Sequence, residues 1–144
     1  MTKSADISPS TLAWQEILDP VRPGLERVEA RFHEQMVSSV PEVTEIGQYL
    51  QVSGGKRLRP ALVLMTARMF GEIQPSAVNL GVVVEMIHTA TLVHDDVIDG
   101  ADRRRGRPST NSRWGNHTSV LAGDWLYMQA FRLAVGERNF HVLD

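Results

Sequence analysis

Residues 76–99 read SAVNLGVVVEMIHTATLVHDDVID, and their pattern decides the fold. Apolar side chains run far beyond the length of an ordinary strand and without strict alternation, so the stretch is expected to be one long α-helix. Its end is acidic. At 3.6 residues per turn Asp95 and Asp99 stack on one face, with Asp96 turned about 100° away. Stacked carboxylates repel one another and also meet the negative end of the helix macrodipole, so something cationic is expected beside them. Hard oxygen ligands favour Mg²⁺, which uses one or two carboxylates and fills its shell with water and phosphate oxygens.

Immediately downstream come Asp102, Arg103, Arg104, Arg105 and Arg107. Guanidinium forks grip phosphate oxygens in bidentate fashion, so a metal on one side and arginines on the other suggest a diphosphate. A bare DDxxD also fits a solvated helix end whose arginines are local ion-pair partners. Counting back by turns from Asp95 puts Thr91, His88, Val84 and Gly81 on roughly the same face. His88 is the strongly polar member, either a satisfied core histidine or a phosphate donor two turns from the acidic pair.

Working outward towards the N-terminus, GGKRLRP at 54–60 sets Lys56, Arg57 and Arg59 in a short loop between two helical patterns, VTEIGQYLQV and ALVLMTARMF. Glycines let backbone approach an anion, and the helix opened by Pro60 offers free N–H groups. The loop reads equally as a basic surface turn. It is not a Walker loop, which would need glycine at Leu50 and a hydroxyl at Arg57. Earlier still, Ser10 can cap a helix TLAWQEIL that Pro20 and Pro23 interrupt, followed by GLERVEARFHEQMV with Leu25, Val28, Phe32 and Met36 as its core stripe. Val43, Ile46, Tyr49 and Leu50 form the next stripe. Residues 1–9 read as a polar arm.

Towards the C-terminus, RPSTNSRWGNHT is rich in turn formers and is expected to be a loop. SVLAGDWLYMQAFRLAV then reads as an amphipathic helix with Leu121, Trp125, Met128 and Phe131 facing inward and Gly136 as its cap. Asp124 is either a buried structural carboxylate or part of the polar site. Helical patterns joined by short connections, with no alternating stretch, make the expected fold class all-α.

Composition narrows the function classes. The 144 residues are 42% hydrophobic and 22% charged, with a net charge of -2, which suits one globular domain rather than a disordered or generally polyanion-binding chain. RRRGR alone makes a poor nucleic-acid footprint on a surface that is not otherwise basic. The absence of cysteine excludes disulfides and thiolate chemistry and fits a reducing compartment. The first ten residues lack the apolar core of a signal peptide, and the apolar run 78–93, broken by Glu85 and His88, reads as too short to span a bilayer. A soluble cytoplasmic protein is expected.

GGKRLRP, IHTATLVHDDVIDGADRRRG and LAGDWL, in that order and spacing over roughly residues 40–135, together resemble the trans-isoprenyl diphosphate synthases, or polyprenyl synthetases. The resemblance implies the isoprenoid synthase fold, an antiparallel helix bundle that is usually homodimeric, and condensation of isopentenyl diphosphate with an allylic diphosphate. By position, Asp95 and Asp99, with Asp96, match the aspartates that hold Mg²⁺ on the allylic diphosphate, and Arg104 matches an arginine contacting that group. Lys56, Arg59, His88 and Arg105 match the residues that hold isopentenyl diphosphate. The implied reaction breaks the allylic C–O bond, adds the isopentenyl double bond to the resulting cation and then loses a proton, which fixed cations assist by stabilising the leaving diphosphate. No side-chain base stands out, which leaves the departing diphosphate for that role. Ala90 and Thr91 occupy positions where bulky residues in this family limit the growing tail, so longer polyprenyl products are implied.

The resemblance covers only the N-terminal portion of such an enzyme. No second aspartate-rich motif occurs before Asp144, and Phe140, Val142 and Leu143 read as the start of a further helix. Residues 10–144 are therefore expected to be an incomplete, N-terminal part of a polyprenyl synthetase domain. The alternatives are a partner-dependent subunit of a split prenyltransferase and a non-catalytic diphosphate binder.

Overall fold

The computed structural model of the chain describes residues 13–52 and 55–142. The expected arm at residues 1–9, the Ser10 cap, Ser53, Gly54 and Leu143 lie outside the described residues. Among the described residues the order is α1 (Trp14–Leu18), a 3₁₀ turn (Asp19–Val21), α2 (Arg22–Gln35), α3 (Pro41–Val52), α4 (Leu58–Met69), α5 (Pro75–Ile98), a short hairpin of β1 (Arg103–Arg104) and β2 (Arg107–Pro108), α6 (Thr110–Gly136) and a closing 3₁₀ turn (Phe140–Val142). Pro20 and Pro23 tighten the chain into the 3₁₀ turn and the start of α2. Neither proline needs an N–H there, because the first-turn donors of a helix have no intrahelical acceptor.

The long helix is the axis of the fold. α5 packs chiefly against α6 and also against α4 and α2. Its inner stripe, Val78, Val82, Met86, Ala90 and Val93, is buried with Val28, Phe32 and Met36 of the α2 region, Leu64 of α4 and Leu126 of α6. Each such large apolar side chain contributes about 1.5–3 kcal/mol when withdrawn from water. α5, at 24 residues and with a most apolar 18-residue window of mean hydropathy 1.4, is long and apolar enough to cross a membrane by length and composition alone, a test that the core helix of a folded domain also passes. The helix extends past the interruptions because Glu85 and His88 are accommodated without breaking it, and half of its most apolar window is buried against the other helices.

Two expectations near the C-terminus give way. Residues 109–118 are not a loop: Ser109 caps α6, accepting from the Ser112 N–H at 3.3 Å while its hydroxyl donates to the Ala101 carbonyl at 2.6 Å. The turn-forming composition marks this cap and a kink at Gly115, whose φ of 80° belongs to the left-handed region that glycine tolerates. The helix also presents a different face. Ser119, Ala122, Gly123, Leu126, Ala130 and Ala134 face inward, whereas Leu121, Met128 and Phe131 are exposed and Trp125 is only partly covered. α6 is apolar on both sides, so periodicity did not identify the inner one; small side chains face α5 because they admit it closely. Gly136 is the last helical residue, and the left-handed residue beyond is Arg138.

Candidate functional site

The basic loop is built around one strained residue. Arg57, the N-cap of α4, adopts φ 48° and ψ 40°, a left-handed conformation that a β-carbon disfavours. Its guanidinium turns inward and is held from two sides: Nε and Nη2 donate to the Glu29 carboxylate of α2, and Nη1 donates to Glu85 Oε1 of α5 at 2.8 Å. It also lies 5.3 Å above the Phe32 ring. Burial works against the charge on Arg57, but the bonds to Glu29 and Glu85 outweigh it and raise its pKa. Lys56 and Arg59, on either side, remain exposed.

The arginine run folds as a two-residue hairpin, with Arg103 opposite Pro108 and Arg104 opposite Arg107. Its turn residues, Arg105 and Gly106, both have positive φ, the pattern of a tight turn matched to strand twist. Tyr49 of α3 supports the hairpin. Its hydroxyl donates to the Pro108 carbonyl at 2.7 Å, and the Arg107 guanidinium stacks over its ring. The turn aims Arg105 back at the basic loop. The guanidinium passes so close that a β-carbon at Gly55 would stand 2.9 Å from Arg105 Nη1.

Lys56, Arg59, His88 and Arg105 consequently line one open depression of about 470 Å³, together with Gly55, Arg57, Leu58 and Glu85. All four residues expected to hold isopentenyl diphosphate are brought together. Burial lowers the His88 pKa, and the charges of Arg59, Arg105 and Arg104 lower it further against the opposing pull of Glu85. A neutral His88 facing three guanidinium groups is poised to gain a proton when an anion arrives.

The three aspartates separate. Asp96 continues the inner stripe of α5, is 3% exposed, and receives Arg104 through Nε at 2.9 Å and Nη2 at 2.7 Å. The hydrogen bond to Asp96 is the main cause that raises the Arg104 pKa. Asp95 and Asp99 stand exposed on the opposite side with Thr91. The structure thus brings Asp95 and Asp99 to one face but not Asp96, and among the described residues no group of three or more acidic or histidine side chains is arranged as a metal site. Mg²⁺ commonly takes only one or two carboxylates and fills its shell with water and phosphate, so a pair of exposed carboxylates matches the number that ion uses. The local ion-pair reading of the arginines holds for Arg104, while Arg105 reaches the depression. Of the two tail-limiting candidates, Thr91 lies on the acidic face and Ala90 lies in the core at 0% exposure.

Asp124 is neither buried nor part of the depression. It is exposed, with Oδ1 3.4 Å from His94 Nε2. The neighbouring Gly123 makes room for the His94 ring, since a β-carbon there would collide with it. Sequence reasoning placed Arg57 in the basic loop and Glu85 in the apolar run but did not pair them. The available signal was a carboxylate interrupting an apolar run, which in a buried helix requires a partner.

Comparison with known proteins converges on one family. The family model for polyprenyl synthetase matches residues 40–144. The chain is 42% identical over 130 residues to an all-trans-nonaprenyl-diphosphate synthase of Rhodobacter capsulatus, covering 90% of this chain and 40% of that protein. It is 40% identical over 117 residues to the octaprenyl diphosphate synthase of Escherichia coli, covering 81% and 36%. Among solved structures, a decaprenyl diphosphate synthase from Rhodobacter capsulatus superposes with a TM-score of 0.86 at 41% identity, covering 91% of this chain and 41% of that one. A Caulobacter crescentus polyprenyl synthase complexed with calcium and isoprenyl diphosphate gives 0.87 at 34% identity, covering 94% and 42%. The chain spans about 40% of the length of these relatives.

Proposed function

The chain belongs to the polyprenyl synthetase family, and from that premise we propose that it supplies the isopentenyl diphosphate cradle and the first acidic face of a trans-polyprenyl diphosphate synthase. The observation that carries the proposal is the convergence of Lys56, Arg59, His88 and Arg105 on one depression. Lys56 and the two arginines neutralise a diphosphate, and His88 donates to it once protonated. Asp95 and Asp99 would hold Mg²⁺ on the allylic diphosphate, with Asp96 acting through Arg104 and fixing the guanidinium that reaches the same group. When bound, Mg²⁺ would stabilise the charge that develops on the leaving diphosphate. His88 and Asp95 lie seven residues apart on α5, about 10 Å along the axis, a separation suited to two diphosphates side by side.

The relatives named for octaprenyl and nonaprenyl products, together with the unobstructed Thr91 position, support a long product. The exposed apolar side chains of α6, Leu121, Met128, Phe131 and Val135, support a dimer, with a second copy covering that face. A cytoplasmic location fits the absence of cysteine and the role of α5 as a core helix. A second reading has its own support: the Bacillus subtilis heptaprenyl diphosphate synthase component 2 is 40% identical over 100 residues, which favours a subunit that elongates only with a partner chain.

Titration calorimetry separates the two halves of the site. Isopentenyl diphosphate uptake without divalent cation should be lost in Lys56→Ala/Arg59→Ala, and Mg²⁺-dependent uptake of an allylic diphosphate should be lost in Asp95→Asn/Asp99→Asn. Unchanged binding in both double variants would refute the assignment. Elongation that requires an added second chain would select the subunit reading.

A further inference from the structure

Two charged residues border the depression without a role assigned above: Arg57, the middle cation of the basic loop, and Glu85, the carboxylate within the apolar run of α5. They meet each other. Arg57 is 16% exposed and Glu85 8% at the side chain, and Glu29 completes the cluster from α2.

We propose that Arg57 is a positioning residue for the isopentenyl diphosphate cradle: clamped between Glu29 and Glu85, it holds the left-handed turn from which Lys56 and Arg59 project, and it neutralises the carboxylate that borders the same depression. The inference rests on reading that depression as a diphosphate site. A non-glycine residue stays left-handed only where its surroundings hold it there, and the clamp supplies the hold through three hydrogen bonds reaching two helices. Glu85 lines the depression beside His88. Without Arg57, its negative charge would face the incoming diphosphate directly and attract the cations meant for the ligand. Lysine cannot reproduce the arrangement, because a single ammonium lacks the planar fork that engages carboxylates on both sides.

The probe is inorganic pyrophosphate, titrated calorimetrically into the full chain without divalent cation so that the acidic face contributes nothing. Arg57→Gln is expected to weaken binding by about tenfold or more, the scale of loss when a partner that orients a binding group is removed. Arg57→Lys should recover part of the loss. Glu29→Gln, which leaves the Arg57–Glu85 pair intact, should give a smaller loss in the same direction and carries the test if the Arg57 variants do not fold. Wild-type affinity in folded Arg57→Gln, or in Glu29→Gln where that variant is the one available, overturns the proposal. A lowered melting temperature with unchanged affinity overturns it too, because that is the signature of a purely structural role. Wild-type chain that takes up no pyrophosphate, or uptake indifferent to Lys56→Ala/Arg59→Ala, instead defeats the reading of the depression and removes the basis for any role of Arg57 there.

Discussion

Replacing Ala90 and Thr91 in turn by phenylalanine separates two positions that adjoin in sequence and differ in surroundings. Ala90 has 0% exposure and belongs to the cluster that includes Met86, Leu126 and Ala130. A phenyl ring there overpacks a filled core, at a cost of about 3 kcal/mol, the upper end of the usual range because a whole aromatic ring is added to a methyl group. For a chain of this size each kcal/mol lowers the melting temperature by about 4 °C, so Ala90→Phe should melt about 12 °C below wild type. Thr91 is exposed, and its replacement forfeits one hydrogen bond, Oγ1 to the His88 carbonyl at 2.8 Å. That costs under about 1 kcal/mol and a shift of less than about 4 °C. Thermal melts followed by circular dichroism measure both, and chromatography of extended products tests whether Thr91→Phe shortens the ladder while keeping the fold. Ala90→Phe melting within about 4 °C of wild type would refute the placement of residue 90 in a filled core.

Asp96→Asn should destabilise the chain by about 2–4 kcal/mol, measured by urea denaturation, because the buried carboxylate is the main partner of the Arg104 guanidinium; a loss below about 0.5 kcal/mol would contradict that pairing. His88, followed by NMR, should protonate below the usual imidazole value in the free chain, since burial and the charges of Arg59, Arg105 and Arg104 lower its pKa. Its contribution to stability is therefore present above the unfolded imidazole value and lost as pH falls through the folded one. Pyrophosphate should move the midpoint upward, and a midpoint unmoved by saturating ligand would count against contact. Removing divalent cations with a chelator should abolish allylic diphosphate binding while sparing pyrophosphate uptake at the basic depression; equal loss at both would show that one metal-dependent site had been taken for two. Gly123→Ala should lower the melting temperature because its methyl group meets the His94 ring, whereas Gly136→Ala, with nothing within 4 Å, should not; equal shifts would contradict the close approach.

Local chemistry made much of the architecture legible. The apolar run of residues 76–99 specified α5 to within a residue at either end because one long periodic pattern outweighs local exceptions. The stripes Val28, Phe32, Met36 and Ile46, Tyr49 were legible for the same reason, each having a polar opposite face. α6 was not, since its large apolar residues and its small ones lie on different sides, and only packing decides that Ala122, Ala130 and Ala134 go in. The two-residue strands of the hairpin carry too few positions for any alternation, so only the paired backbone reveals them.

The candidate site divides along the same line. Sequence by itself determined which side chains carry charge, and the spacing that sets Asp95 over Asp99 follows from helical geometry alone. Tertiary structure alone decided that Asp96 points inward to Arg104, that Arg105 crosses Gly55 to join Lys56, Arg59 and His88, and that Arg57 faces two carboxylates. Those pairings join α2, the basic loop, α5 and the hairpin, segments far apart along the chain. Helical periodicity fixes relations within one turn or two, whereas contacts between distant segments exist only once the core has packed.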